Sequence, residues 1–411
     1  MTQAWEKHFN ERVNNRLEHS VIGEMMRLVA KEKALSLTAG EPFEELYPVK
    51  KLQEAFAKAL QSGPSIFAYS NERFGKDDLR AWILQWMKRD GLAPSWASAE
   101  NIFITSGSQE GLHFLTECFV EKGRTILVES PSYPEALVSF KKEGATFIDV
   151  PLHDDGPDID ALEKILEKVR ISFFYTIPTF QNPTGASTSD AKKLAVLELA
   201  NKHDFFIVED DPYRNLSFTG KAGRTYLSLA GEDDRVLYMG SFSKIVAPGM
   251  RIGWALIPDE VADAFLKLRV VSNLCLPEFN QIALLYFLED LDLDAWLSHL
   301  QEAYRSHRNA MIQGLKEEAE PEGLSFNTPE GGFFIWGQVP WIKDMHDFAR
   351  TAVLQEKVGI LPGGIFFIDP FSGKGTIRLS FAKTPPPVAE EGCRRLGRAL
   401  RSYREKVDPS R

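Results

Sequence analysis

The 411-residue chain is poor in the features that would tie it to a membrane, an oxidising compartment or a nucleic acid. No apolar run approaches the ~18 residues that a spanning helix requires. The opening Met1-Thr2-Gln3-Ala4-Trp5-Glu6-Lys7-His8 has no apolar core and no cleavage site of the kind that directs secretion. Cys118, Cys275 and Cys393 are the only cysteines, odd in number and scattered. They form neither a disulfide framework nor a CxxC metal motif, so no metal site is expected and a reducing cytoplasm fits. Lys and Arg total 48 against 58 Asp and Glu, a formal charge of -10 that argues against general polyanion binding. Internal repeats and low-complexity linkers are also missing.

What remains is an ordinary globular composition, 44% hydrophobic and 26% charged, long enough for two or three domains and a sizeable core. The one basic-looking stretch contains Arg394, Arg395, Arg398, Arg401 and Arg404. Leu396, Leu400 and Tyr403 recur within it at helical spacing, so it reads as a solvated amphipathic helix.

The middle of the chain alternates short apolar runs with helical patterns. Strands are expected at Asn101–Thr105, Thr125–Glu129, Ala145–Val150, Ile171–Thr176, Phe205–Glu209, Val236–Met239 and Gly253–Ile257. Most are apolar on both faces, as strands covered by helices on two sides must be. Helices are expected at Ser108–Phe119, Asp160–Lys168 and Asp190–His203. Such alternation points to an α/β domain with a mainly parallel seven-stranded sheet. From about Leu291, longer helical stretches enclose strands at Gly332–Gly337 and Gly375–Ser380, a smaller α+β domain. The expected division is residues 1–45 joining the small domain, 46–290 forming the large one and 291–411 the small one.

Ligands of parallel α/β sheets gather at the carboxyl ends of strands, so the residues following each strand carry the chemistry. Ser106-Gly107-Ser108-Gln109-Glu110-Gly111 opens a helix whose free N–H groups could cradle a phosphate or merely cap the helix. Ser130-Pro131-Ser132-Tyr133-Pro134 is a turn with an aromatic. Gln181-Asn182-Pro183-Thr184-Gly185 either aims an amide into a cleft or decorates a loop. Asp210, in Glu209-Asp210-Asp211-Pro212-Tyr213, follows a buried strand and calls for a cationic partner. Lys244, in Gly240-Ser241-Phe242-Ser243-Lys244, sits among hydroxyls with Arg251 shortly after. Desolvation and nearby positive charge would lower its pKa and make it a carbonyl-trapping amine. An amine, an acid, an amide, aromatics, hydroxyls and an Arg on one sheet edge match what pyridoxal phosphate needs.

These motifs, in this order, resemble the class I/II aminotransferases of the fold type I pyridoxal-phosphate enzymes. The resemblance is strongest toward the α-aminoadipate, kynurenine and broad-specificity subgroup. It runs through nearly the whole chain, including Pro-Glu-Gly-Gly-Phe-Phe-Ile-Trp at 329–336 and Ile-Arg-Leu-Ser-Phe at 377–381. It implies pyridoxal 5'-phosphate as cofactor and a ping-pong transfer of an α-amino group to a 2-oxo acid such as 2-oxoglutarate. Lys244 is implied as the Schiff-base lysine and general acid/base, Asp210 as partner of the pyridinium nitrogen, and Tyr213 and Asn182 as partners of the phenolic oxygen. Tyr133 would stack on the ring; Ser108, Gln109, Ser241, Ser243 and Arg251 would hold the phosphate. Arg378 would fork the substrate carboxylate, with Asn182 and Gly40 beside it. Tyr69, in Phe67-Ala68-Tyr69-Ser70, matches a segment that reaches the neighbouring subunit's phosphate, implying a homodimer with shared sites; its bland alternative is a core aromatic.

One departure bears on substrate. Aminoadipate-type relatives carry Ser-x-Ile-Arg in the N-terminal helix, whereas this chain has Ser20-Val21-Ile22-Gly23-Glu24. Gly23 binds no carboxylate, and neither Arg16 nor Arg27 sits at the matching position. Aromatic or large aliphatic amino acids are therefore favoured. A C–S β-lyase or another fold type I lyase or synthase would use the same set. A cofactor-sensing regulator would need a winged helix ahead of the match, which begins near Ser20, and a less acidic chain.

Overall fold

The computed structural model describes residues 5–17 and 20–407. Its centre is an eight-stranded sheet. In spatial order the strands are Ile102–Thr105, Gly253–Leu256, Val236–Ser241, Phe206–Asp210, Phe173–Thr176, Thr125–Ser130, Thr146–His153 and Gly156–Pro157. The seven expected strands are all present, their ends shifted by up to three residues. The addition is Gly156–Pro157, a two-residue strand antiparallel to the edge strand Thr146–His153, too short for any periodic signal.

The five strands from Val236–Ser241 to Thr146–His153 run parallel. Gly253–Leu256 runs antiparallel to both of its neighbours. Ile102–Thr105, Phe173–Thr176 and Val236–Ser241 are buried at every position, as helices on both faces require. Ser108–Phe119 and Asp190–His203 are helices with the expected bounds. The latter starts where Ser189 Oγ accepts from Lys192 N and stops at Asp204, whose φ is 55°.

A second, four-stranded antiparallel sheet is ordered Ser325–Phe326, Phe334–Gln338, Thr376–Ser380, Leu361–Pro362. Against it lie the long helix Leu293–Glu318 and the C-terminal helix Pro386–Val407. The latter buries Leu396, Leu400 and Tyr403 and turns its arginines to acidic partners, Arg395 to Glu391 and Arg398 to Glu356. Near the other end of the chain, Leu35–Ser36 pairs with Val358–Gly359. Residues 37–40 then run beside Thr376–Ser380: Ser380 N donates to Leu37 O at 2.9 Å and Arg378 Nη2 to Thr38 O at 2.7 Å.

Among the described residues, no helix is long and apolar enough to cross a membrane. No cluster of three or more His, Cys, Asp or Glu side chains there could hold a metal, and the three cysteines are free.

Candidate active site

At the carboxyl ends of the parallel strands lies a cavity of about 520 Å³. Its wall contains Ser108, Gln109, Tyr133, Asn182, Asp210, Tyr213, Ser241, Ser243, Lys244 and Arg251, ten of the thirteen residues singled out from the sequence. Gly40 and Arg378 lie beside it. Lys244 Nζ donates to Gly40 O at 2.8 Å, and Arg378 Nη1 donates to Asn182 Oδ1 at 2.8 Å.

Asp210 ends the Phe206–Asp210 strand and is only 3% exposed. Its Oδ2 accepts from Tyr175 OH at 2.9 Å, while its buried Oδ1 has no partner. Burial pushes this carboxyl up to about 7; Tyr175 and the charge of Lys244 pull the other way. Among the described residues no side-chain cation bonds it, which leaves Oδ1 open toward the cavity. The cation-bound acid is its neighbour Asp211, whose Oδ2 takes Arg214 Nη1 at 2.6 Å.

Lys244 follows the Val236–Ser241 strand. Burial lowers its amine to about 8, and the charges of Arg378 and Arg251 push the same way against Glu41 and Asp210. The amine stands 5.8 Å from the Tyr213 ring centre. Tyr213 itself is buried, which raises its phenol, while Arg378 and a hydrogen bond to Asn182 oppose the rise.

The opposite end of the cavity is a polar cradle. Gly107 precedes the Ser108–Phe119 helix with φ 74°, and the first N–H groups of that helix lack intrahelical partners. A Cβ on Gly107 would stand 2.5 Å from Arg251 Nη2, and one on Gly253 would stand 2.9 Å from Ser108 N. Both glycines are thus required for the backbone and the guanidinium to close this far. Arg251 is held by Ser106 O at 2.7 Å, and Ser241 Oγ accepts from Ser243 N at 3.1 Å.

Arg378 comes from the Thr376–Ser380 strand and is 2% exposed. Its guanidinium lies between the rings of Phe334 and Phe366, 4.3 Å and 5.0 Å from their centres. Burial lowers it to about 10, and its Nε has no partner. Asn182 is itself positioned from behind. Gln181 Nε2 donates to the buried Glu129 carboxylate at 3.1 Å and to Pro131 O at 2.8 Å, and Gln181 Oε1 accepts from Thr184 N at 2.9 Å.

Tyr69 is the outlier among the selected residues. It is 82% exposed and outside the cavity, so it is not a core aromatic. Sequence reasoning passed over Tyr175, Glu129, Thr38 and Glu135. Tyr175 had a weak signal, a hydroxyl in the otherwise apolar Phe173-Phe174-Tyr175 run. Glu135 lines the cavity from the first turn of the Pro134–Lys142 helix, where an acidic residue passes for ordinary helix chemistry.

The family described as aminotransferase class I and II matches residues 32–396. A 2-aminoadipate transaminase of Thermus thermophilus is 33% identical, covering 97% of this chain and 98% of its own. Aromatic-amino-acid aminotransferase 1 of Thermococcus litoralis is 33% identical over 98% and 97%. Among solved structures, LysN, an α-aminoadipate aminotransferase of Thermus thermophilus complexed with N-(5'-phosphopyridoxyl)-L-leucine, superposes with a TM-score of 0.88 at 32% identity, covering 97% of this chain and 99% of that one.

Proposed function

Because the chain belongs to the class I and II aminotransferases, a family of pyridoxal-phosphate-dependent transaminases, we propose that its cavity binds that cofactor and moves an α-amino group to a 2-oxo acid through the residues described above. One observation carries the assignment: a buried carboxylate oxygen without a donor and an amine lowered to about 8 line the same cavity. The pyridine N–H of the cofactor would supply the donor that Asp210 Oδ1 lacks. The cradle around Gly107 offers N–H, hydroxyl and guanidinium groups that suit its phosphate.

When bound, the cofactor supplies an electron sink for the bond broken at the amino acid Cα. Asp210 keeps the ring nitrogen protonated. Lys244 Nζ, lowered to about 8, is the amine that would hold the cofactor through its carbonyl and would move the proton at the substrate Cα. Tyr213 and Asn182 hydrogen-bond the phenolic oxygen, and Tyr133 covers the ring. Ser108, Gln109, Ser241, Ser243 and Arg251 hold the phosphate. Arg378 forks the α-carboxylate, its plane fixed by the two rings and by Asn182. The Gly40 loop borders the substrate.

The substrate class we infer is aromatic or large aliphatic. Ser20, Val21 and Ile22 line the space beside the site without presenting an arginine at position 23. The leucine adduct in one relative and the aromatic activity named for another support the same class. We further infer the domain division at residues 45/46 and 290/291, supported by the Leu35–Ser36 pairing with Val358–Gly359. A homodimer sharing sites is supported by the exposed Phe67 and Tyr69, and cytoplasmic residence by the three free cysteines.

Borohydride reduction of the loaded enzyme followed by peptide mapping tests the assignment and is expected to place the pyridoxyl group on Lys244. A label on another lysine overturns it. A panel of amino donors against 2-oxoglutarate and pyruvate tests the reaction: transfer of nitrogen to the 2-oxo acid is expected. Release of pyruvate and ammonia without an acceptor would make the protein a lyase.

A further inference from the structure

Beside the cofactor-sized cavity lies a second one of about 720 Å³, and Gln109 and Glu135 belong to the walls of both. The larger space is walled mainly by apolar groups, among them Val21, Ile22, Leu137, Phe147, Ile365 and Phe367. A substrate side chain leaving the first cavity past Glu135 would enter it.

Glu135 stands at the junction. Its Oε1 is 3.5 Å from Ser20 Oγ, and its buried Oε2 has no partner. The charge of Glu135 raises the phenols of Tyr133 and Tyr213, while that of Arg378 acts on Glu135, so the carboxyl lies within electrostatic reach of the substrate end of the site. Burial pushes the carboxyl above the usual range of a glutamate.

We propose that Glu135 reads the substrate side chain, admitting large side chains that are apolar or carry an N–H or O–H donor and rejecting those that end in a carboxylate, on amino donor and 2-oxo acid acceptor alike. A second carboxylate in this space would face a like charge across a largely apolar medium. An N–H or O–H would instead satisfy Oε2, removing the cost of an unpaired buried acceptor.

The basic groups on the same wall are Arg16, Lys141 and His346. Arg16 is already paired with Glu11 at 3.0 Å and bonded to Lys142 O at 3.4 Å. Lys141 lies in the last turn of the Pro134–Lys142 helix, roughly 9 Å along the axis from Glu135. His346 belongs to the Met345–Thr351 helix of the C-terminal region. The same logic counts against 2-oxoglutarate as the preferred acceptor. The proposal rests on the aminotransferase reading and names the residue that sets its substrate range.

The test uses the holoenzyme and a pair of donors alike in shape, glutamine and glutamate. Wild-type kcat/KM is expected to favour glutamine at least tenfold. Glu135→Gln should shrink that ratio at least tenfold, and Glu135→Asp, which keeps the charge, should retain it. Calorimetric binding of 3-phenylpropionate and glutarate gives a readout without turnover, and the preference for the former should narrow in Glu135→Gln to the same degree. A wild-type preference for glutamate overturns the proposal without any variant. So does a glutamine-to-glutamate ratio that Glu135→Gln leaves within threefold. If no amino acid is turned over, the aminotransferase reading fails, and the calorimetric pair still decides the role of Glu135.

Discussion

Asp210 is set for function at the expense of stability. Its carboxyl titrates near 7 in the folded chain against 3.8 for an ordinary aspartate, chiefly because it is buried. Between those values the folded chain keeps a proton that the unfolded chain has lost, so stability falls as pH rises from about 4 to about 7. The full penalty stands at pH 8. Asp210→Asn removes the charge and keeps an oxygen for Tyr175. The cofactor-free variant is therefore expected to melt roughly 2 °C or more above the wild type at pH 8, with the difference shrinking toward pH 4. Cofactor affinity should move the other way and fall at least tenfold, as read by absorbance titration. A variant that melts lower at pH 8 would show that the buried carboxylate is compensated after all. At this scale the sequence was informative about identity and silent about partners. It marked Asp210 as an acid off a buried strand, but the donor it does have, Tyr175, comes from the adjacent strand 35 residues earlier.

Among the elements, the start of the Ser108–Phe119 helix does the most with the least. Its N–H groups face a cradle only because Gly107 takes φ 74° and leaves room for the Arg251 guanidinium. Gly107→Ala adds a methyl 2.5 Å from Arg251 Nη2 and a strained backbone. The expected outcome is a cofactor Kd raised tenfold or more while the far-ultraviolet circular dichroism stays as in the wild type. Unchanged affinity would mean that Arg251 swings away without loss. Helix bounds here were legible because the cap, the apolar spacing and the stop all lie within a dozen residues. Strand direction was not legible. Gly253–Leu256 is as apolar as its parallel neighbours yet runs against both, because a side-chain pattern of period two is the same read from either end.

For the molecule as a whole, the exposed Tyr69 poses the main question. A dimer of about twice the 46.4 kDa chain mass is expected in sedimentation, with Tyr69 of each subunit completing the other's site. Mixed subunits test this. Tyr69→Ala and Lys244→Ala homodimers should each be impaired, and mixing them should recover up to about a quarter of wild-type activity. That fraction is expected because half of randomly re-formed dimers are hybrids carrying one native site. No recovery would confine each site to one subunit and leave Tyr69 without a shared role. The sequence by itself determined the seven main strands, the helices Ser108–Phe119 and Asp190–His203 and ten residues that line one cavity, since each rests on a short local pattern. Gly40, Arg378 and Tyr69 came from the family resemblance alone. Only the tertiary structure decided what those residues meet. Lys244 reaches Gly40 across 204 positions, Arg378 reaches Asn182 across 196 and Thr38 across 340, and Glu135 joins two cavities. Such meetings follow from the order in which strands pack and from where the chain ends are laid, and they are set by burial over the whole molecule rather than by any stretch of sequence.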